Sequence, residues 1–393
     1  MALPWLINIY IITFVGSLAF AMLKPILPLF TRNLGATATE VGLIFSGFML
    51  ARAIFAILTG VIADKWGKRK LWLYLGFMGF FLCTFMLIFV HTYWQILVLR
   101  FLAGIASGIV WPLLQMITAE ASTRNRTKML SFYYLAGKFG MLGGGLLTAG
   151  LITLIMRVTG VTESATFVQI FGISALFILI TFVFIPRIKV SHQPTTVPSS
   201  PYGGRFSIIF CLAFVLGMFM SLTTSVGVLY LRERFGFAAR SVAIAIFVID
   251  LVGMVAMYVI SRIADTVSSV VALRTIILPA SIAAIVLPLV GNPYLVVVLL
   301  AIVGAAISSF MPVSRAIAVG EHTGKKIGAL NTLSNLGSVV GGPFGGLFYD
   351  KLTHMGVIDL RVISYSILGM MMLLFLVFIQ PRGGVKLFDM GYR

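Results

Sequence analysis

Apolar residues form long runs that are separated by short polar stretches along most of the chain. The runs are about 20 residues long, which is the length of a helix that crosses a hydrocarbon core about 30 Å thick. Breaking the chain at charge clusters and at Gly, Pro and Asn turns predicts twelve membrane-spanning helices. Their spans are 5–31, 39–63, 71–91, 94–118, 129–156, 167–186, 206–231, 240–262, 272–291, 294–318, 327–350 and 362–381.

A polar stretch divides the twelve predicted helices into two sets of six. Residues 190–205 are rich in Pro, Ser and Thr, a composition typical of a linker. We therefore expect a six-helix bundle over 1–189, a cytoplasmic linker over 190–205, and a second six-helix bundle with a short cytoplasmic tail over 206–393. No basic segment precedes the first apolar run and no small-residue cleavage site follows it, which indicates a retained helix and not a signal peptide.

The two predicted bundles also match each other in sequence. At an offset of 201, Ile62-Ala63-Asp64 matches Ile263-Ala264-Asp265, and further along, at an offset of 197, Gly140 matches Gly337 and Gly144-Gly145 matches Gly341-Gly342. Each match is short, but all place equivalent features at equivalent positions of equivalent helices. This pattern indicates an internal duplication, which is common in transporters.

Composition supports the membrane interpretation and excludes several other classes. The chain has 60% hydrophobic and 10% charged residues and a mean hydropathy of +1.08, whereas soluble domains carry about 25% charge. The net charge of +18 comes from basic clusters between apolar runs, not from a basic stripe, so we predict no nucleic-acid partner. Cys83 and Cys211 lie inside apolar runs, and no nucleophile, metal cluster or phosphate loop is evident, so we predict no enzyme, no metal and no cofactor.

The distribution of Lys and Arg predicts the orientation in the membrane. Of the 29 Lys and Arg residues, 24 lie in loops or at the ends of the predicted spans, 17 on one side of the membrane against 7 on the other. The smaller set consists of Arg32, Arg157, Arg232, Arg234, Arg240, Lys351 and Arg361. Because short cytoplasmic loops carry the excess of positive charge, both termini and the linker should be cytoplasmic.

The connection between the second and third predicted helices carries the most specific motif. It reads Gly60-Val61-Ile62-Ala63-Asp64-Lys65-Trp66-Gly67-Lys68-Arg69-Lys70. This segment resembles the loop 2–3 signature of the major facilitator superfamily. The resemblance implies a fold of two six-helix bundles related by pseudo-twofold symmetry, and a secondary transporter that works by alternating access.

The same resemblance implies a cytoplasmic latch between the halves. Its members would be Gly60, Asp64, Gly67, Lys68, Arg69 and Glu120. The predicted fourth helix also resembles the family, with Arg100 four residues before Gly104, whereas the fifth lacks the Gly-Pro pair typical of the family's antiporters. The resemblance further implies a monomer, and the short loops fit the inner membrane of a prokaryote.

Charged residues inside the spans predict the substrate site. An ionisable side chain deep in a span costs roughly 2.5 to 3.5 kcal/mol, so it usually faces a cavity or a partner. Lys24, Arg52, Arg100, Lys138 and Asp250 lie in helices that line the cavity in this family, and Arg315 lies near a span end. Asp250 is the proton-coupling candidate, although a simple Lys138–Asp250 salt bridge is the alternative. Polar candidates for substrate binding are Trp111, Gln115, Tyr134, Asn331 and Asn335.

One acid against four or five bases predicts a positive cavity and an anionic or carboxylate-bearing solute. A proton-coupled multidrug efflux pump for lipophilic compounds is the alternative, and a carrier of lipids or lysolipids is a further one. A channel, the alternative from another class, would show a ring of like charges or a backbone filter. Whether the transporter is an antiporter or a symporter stays open at this point.

Overall fold

A computed structural model of the chain describes residues 4–66, 68–121, 126–189, 207–318, 323–355 and 358–378. Long helices make up nearly all of these ranges. The helices are α1 (Pro4–Asn33), α2 (Ala38–Trp66), α3 (Arg69–Met86), α4 (Tyr93–Glu120), α5 (Arg126–Thr159), α6 (Glu163–Phe184), α7 (Ser207–Thr224), α8 (Val226–Phe235), α9 (Ala239–Thr266), α10 (Ser269–Val286), α11 (Pro293–Ala318), α12 (Thr323–Lys351) and α13 (Ile363–Phe378). A two-residue antiparallel pair, β1 (His354–Met355) with β2 (Ile358–Asp359), precedes α13.

The helices confirm the predicted all-α polytopic membrane fold. Ten spans in the described ranges are long and apolar enough to cross a bilayer, and Leu360–Leu376 is a shorter apolar helix. Helix α12 has 29 residues but is less apolar, since Gly, Ser and Asn replace large side chains along it. The predicted linker, 190–205, lies outside the described residues.

The seventh predicted helix forms one apolar span, Ile208–Phe235, that is interrupted at a single residue. It consists of α7 and α8, which are separated by Ser225, whose ψ of −77° departs from regular helix geometry. The hydroxyls of Thr224 and Ser225 donate to the carbonyl oxygens of Met220 and Ser221, both at 2.8 Å. Hydroxyl groups that bond back to the preceding turn often bend helices, and the backbone ladder continues here, since the Ser225 amide donates to the Ser221 carbonyl oxygen at 3.0 Å.

Each half is held together by close helix pairs that meet at glycines. A Cβ atom added at Gly140 on α5 would lie 2.2 Å from the Phe14 carbonyl oxygen on α1. One added at Gly337 on α12 would lie 1.9 Å from the Phe214 carbonyl oxygen on α7. Gly140 and Gly337 are one of the pairs matched between the halves, so equivalent glycines serve equivalent packing, as small residues do between membrane helices.

The halves meet along two helix pairs, α2 with α12 and α5 with α9. At the first, a Cβ atom on Gly42 would lie 2.3 Å from the carbonyl carbon of Gly342, so these backbones are in direct contact. At the second, a Cβ atom on Gly145 would lie 3.6 Å from Phe247 Cβ, which is an ordinary packing distance. The α2–α12 pair is therefore the tighter of the two.

Among the described residues, several polar contacts between the halves lie on one side of the bundle. We call the side that carries residues 34–37 the loop 1–2 face, and the side that carries residue 68 the loop 2–3 face. At the loop 1–2 face, Arg32 pairs with Glu233 at 2.7 Å and Arg232 pairs with Glu163 at 2.8 Å. Each pair joins one half to the other, so this face is closed.

The start of α2 adds another contact at the same face. The Asp350 carboxylate, at the end of α12, accepts from the Ala38 amide at 2.9 Å and from the Thr39 amide at 2.8 Å. It also accepts from the Thr39 hydroxyl at 2.6 Å. A carboxylate from the second half thus caps the N-terminus of a helix in the first half, where the helix dipole favours negative charge.

Candidate functional site

A cavity of about 1050 Å³ lies between the two halves. Helices α1, α2, α4, α5, α7, α9 and α11 contribute its lining. It extends from Thr31 and Val41, near the loop 1–2 face, to Ser131 and Ser261, close to the ends of α5 and α9 at the loop 2–3 face. Since the loop 1–2 face is closed, the cavity belongs to the conformation that faces the loop 2–3 side.

The structure brings most of the sequence-predicted site residues to this cavity. Those that line it are Lys24, Arg52, Arg100, Trp111, Gln115, Tyr134, Lys138 and Asp250. Asn331 and Asn335 are on α12, which contributes none of the described lining residues, so the structure places these two away from the cavity. The surroundings of Arg315 lie outside the described part of the chain.

Lys24 and Asp250 form a salt bridge across the cavity, from α1 in the first half to α9 in the second. The Lys24 ammonium donates to both carboxylate oxygens of Asp250, at 2.7 and 2.8 Å. Each side chain is 24% exposed. The pair therefore satisfies both charges inside the membrane while remaining accessible from the cavity.

The alternative expectation of a Lys138–Asp250 salt bridge is wrong, because Asp250 pairs with Lys24. The Lys138 ammonium instead reaches across to α11 and donates to the Ser308 hydroxyl at 3.4 Å. Lys138 lies on α5, and its charge is close enough to interact with those of Lys24 and Asp250. Three ionisable groups from α1, α5 and α9 thus share one region of the cavity.

Arg52 lies on α2 among aromatic and polar groups of the first half. Its charge is close enough to interact with Tyr133, which also lies beside Gln115. The Tyr133 hydroxyl donates to the Trp111 carbonyl oxygen at 3.4 Å. None of the salt bridges among the described residues involves Arg52, so it offers the cavity a guanidinium without a carboxylate partner.

Arg100 occupies the same side of the cavity but is more deeply buried. Its guanidinium carbon lies 4.2 Å from the centre of the Phe48 ring and 5.6 Å from that of Phe20. Aromatic faces stabilise a cation in this geometry by about 2 kcal/mol when water is excluded. The Arg100 guanidinium on α4 is therefore stabilised by ring contacts. Its charge adds positive potential to the cavity next to Arg52.

The predicted latch falls at the loop 2–3 face, and part of it is described. Arg69, at the start of α3, forms a buried salt bridge with Glu120, at the end of α4. Lys68 immediately precedes α3 and is exposed. The surroundings of Gly60 and Asp64, and Gly67 itself, lie outside the described residues, so the complete latch stays a prediction.

Sequence reasoning missed much of the apolar lining. Six methionines line the cavity, namely Met49, Met141, Met220, Met254, Met257 and Met311. Ser308, the partner of Lys138, was also missed. The rotation of each helix about its axis decides which apolar side chains face inward, and uniformly apolar helices give no signal for it.

The fold and the cavity together define a polytopic membrane transporter built from two bundles of helices. The family model described as Major Facilitator Superfamily matches residues 9–320, so the chain belongs to that family and the resemblance found in loop 2–3 is confirmed.

Individual proteins agree with this assignment. The Quinolone resistance protein NorA of Staphylococcus aureus is 22% identical over 93% of this chain and 95% of that protein. The Uncharacterized MFS-type transporter MJ1560 of Methanocaldococcus jannaschii is 36% identical, but over 30% of each chain. The crystal structure of the nucleoside transporter NupG superposes with a TM-score of 0.72 over 96% of this chain and 98% of that one, at 14% identity.

Proposed function

We propose that this transporter is a secondary active carrier that moves small organic anions with a substantial apolar part by alternating access. The observation that carries the proposal is the charge of the cavity. Lys24 and Asp250 neutralise each other, whereas Arg52, Arg100 and Lys138 line the same space without a carboxylate among the described salt bridges. Three positive charges between apolar walls attract an anion more strongly than they would in water.

The rest of the lining supports an apolar body attached to that anion. Aromatic side chains such as Phe20, Phe45 and Trp111, together with the six methionines, surround the charges. Methionine and aromatic surfaces adapt to apolar groups of varied shape. The cavity is at the upper end of the size that suits a small molecule.

Proton coupling forms part of the proposal, with Asp250 as the responsive group. Its only described ionic partner is Lys24, from the other half of the chain. Protonation of Asp250 would break this bridge and free Lys24 for the substrate. Binding of an anion and of a proton would then favour each other, as linked equilibria require.

A ligand screen on the purified protein tests the substrate class. Naphthalenesulfonate should raise the melting temperature of the wild type, and tetraphenylphosphonium should not, because a ligand stabilises the state that binds it. Arg52→Gln should weaken naphthalenesulfonate binding by about tenfold to a hundredfold, the value of one hydrogen bond to a charged group. Arg52→Lys, which keeps the charge, is the matched control and should retain most of the affinity.

Multidrug efflux is the second candidate, and the similarity to NorA favours it. The Met-rich and aromatic lining would suit lipophilic compounds of either charge. Stabilisation by tetraphenylphosphonium with no response to Arg52→Gln would overturn the anion proposal and support this one.

We also propose the membrane and the orientation in which the transporter works. The excess of basic residues in one set of loops supports a cytoplasmic loop 2–3 face, and relatives such as NorA are bacterial. The described structure is then the inward-facing conformation of a monomer in a prokaryotic inner membrane.

A further inference from the structure

The cationic side chains of the cavity fall into two groups on different helices. Lys24 on α1 and Lys138 on α5, which we call the lysine group, lie beside the carboxylate of Asp250 on α9. Arg52 on α2 and Arg100 on α4, which we call the arginine group, line the same cavity. The two groups differ in their surroundings, because the described carboxylate of the cavity lies in the lysine group.

The arginine group has buried donors that lack acceptors. Arg100 and Ser107 are 5% and 1% exposed, and Arg100 Nε and the Ser107 hydroxyl have no hydrogen-bond partner among the described residues. Ser107 lies on the face of α4 that also carries Trp111 and Arg100, four and seven positions away. A Cβ atom on the adjacent Gly108 would lie 2.8 Å from the Arg52 carbonyl oxygen, so α2 and α4 touch at this level. An anionic group bound here would supply the missing acceptors.

Aromatic side chains lie between the two groups. Phe20 lines the cavity one helical turn from Lys24 on α1, and the centre of its ring lies 5.6 Å from the Arg100 guanidinium carbon. The Trp111 ring reaches from α4 to α1, where a Cβ atom on Gly16 would lie 3.1 Å from it. An apolar surface thus connects the arginine group to the helix that carries Lys24.

The lysine group can accept an anion only when Asp250 is neutral. Among the described residues, the charged groups next to Asp250 are Lys24 from α1 and Lys138 from α5, and α11 adds the hydroxyl of Ser308. Helices α8 and α10 also pack against α9, but they contribute no described residue to the lining. A proton taken from solvent by the Asp250 carboxylate would leave both lysines without a negative partner. An anionic group of the cargo could then take the place of the carboxylate.

We propose that the cargo is a dianion with an aromatic or other apolar core and one anionic group at each end, and that the two ends bind at different groups. One end binds the arginine group whether or not Asp250 carries a proton. The other end replaces the Asp250 carboxylate as the partner of Lys24 once a proton has neutralised it. The inference rests on the proposed function and specifies its substrate class.

Aryl sulfonates test the proposal, because their charges do not titrate. Binding of naphthalene-1-sulfonate, naphthalene-2,6-disulfonate and biphenyl-4,4′-disulfonate would be measured by titration calorimetry on the protein in phosphatidylcholine nanodiscs. At least one disulfonate should bind the wild type at least about tenfold more tightly than the monosulfonate, the value of one hydrogen bond to a charged group. In buffers of different ionisation enthalpy, that disulfonate should also take up more protons than the monosulfonate, since Asp250 must be neutral when both ends bind.

Two variants assign the second end to the lysine group. Lys24→Gln with Asp250→Asn removes both charges of the bridge and leaves neither alone in the membrane, and it should lose most of the preference for the disulfonate. Asp250→Asn alone frees Lys24 permanently, so it should keep the preference and lose the extra proton uptake. Lys189→Gln with Asp265→Asn is the matched control. It removes one lysine and one aspartate that are exposed and do not line the cavity, so it should change neither quantity.

The outcomes separate the dianion from the proposed function. Equal affinity for the monosulfonate and both disulfonates would overturn the dianion and leave the anion proposal intact. A preference that survives in the double variant, or that brings no extra proton uptake in the wild type, would also overturn it, because the second sulfonate would then bind elsewhere. If the double variant fails to fold, the proton uptake of the wild type and of Asp250→Asn decides the question. Failure of all three sulfonates to bind, with tetraphenylphosphonium bound, would overturn the anion proposal and the dianion with it.

Discussion

Lys24 and Asp250 are 226 positions apart in the chain, yet their charged groups meet at 2.7 Å. Such a pair is costly to separate, because each charge would otherwise remain alone within the membrane. Its partial exposure to the cavity means that a substrate or a proton can compete for either partner. Because this salt bridge also joins the two halves, binding of a substrate or a proton in the cavity would weaken a contact between them.

The proposed proton-coupling role of Asp250 predicts a loss of pH dependence on substitution. In Asp250→Asn the side chain no longer titrates, so the rate of anion transport in proteoliposomes should stop changing with pH across the range where the wild type responds. Asp265→Asn is the control, since Asp265 is an exposed acid on the same helix that does not line the cavity. If Asp250→Asn retained the wild-type pH profile, Asp250 would have no such role.

At the scale of helices, close glycine contacts serve two different purposes. Those of α5 against α1 and of α12 against α7 lie within one half and hold its helices together. That of Gly42 against Gly342 lies between the halves, at a junction that must separate when the loop 1–2 face opens. Close glycine packing therefore stabilises the fold where it lies within one half. Where it lies between the halves, it affects the balance between conformations.

Three Gly→Ala substitutions distinguish these purposes. Gly140→Ala, in contact with the α1 backbone, should lower the melting temperature, whereas Gly42→Ala should mainly open the loop 1–2 face by forcing α2 and α12 apart. Gly150→Ala, with nothing within 4 Å, should stabilise α5 by roughly 0.5 to 1 kcal/mol. Thermal unfolding reports the first and third effects. The distance between spin labels at Val158 and Tyr294, exposed on opposite halves, reports the second, and an unchanged distance in Gly42→Ala would contradict it.

The cap that Asp350 provides to α2 makes a related prediction. Asp350→Ala removes an interhalf cap of the kind that contributes about 1 kcal/mol, which would change the ratio of closed to open states by about fivefold. The same spin-label pair should report a larger open population. Lys351→Ala, at the adjacent exposed position, should leave it unchanged. Equal behaviour of the two variants would mean that Asp350 contributes no closing energy.

For the whole molecule, the arrangement of contacts and cavity fits one stage of the proposed alternating access. Ion pairs and the Asp350 cap close the loop 1–2 face, while the cavity extends toward the loop 2–3 face. There Arg69 and Glu120 hold α3 and α4 of the first half together. Opening one face requires breaking the contacts between the halves there, and the predicted latch would replace them at the opposite face.

The orientation of the molecule is testable with two cysteines. Val158, at the loop 1–2 face, is 73% exposed and Val267, at the loop 2–3 face, is 64% exposed. In a Cys211→Ser background, which removes an exposed native thiol, Val158→Cys should react with a membrane-impermeant maleimide in intact cells. Val267→Cys should react only after the cells are permeabilised. The reverse pattern would place loop 2–3 outside and invert the proposed direction of opening.

The class of fold, the helix positions and the set of ionisable groups in the membrane can be read from the chain alone, because span length, charge placement and the loop 2–3 motif are local properties. The sequence also indicated the glycine pairs, since the duplication repeats them. Three features came from the folded structure alone. Asp250 pairs with Lys24, Asn331 and Asn335 do not line the described cavity, and the seventh helix is interrupted at Ser225. The physical reason is that contacts between distant helices depend on the rotation of each helix about its axis, which an evenly apolar span does not encode.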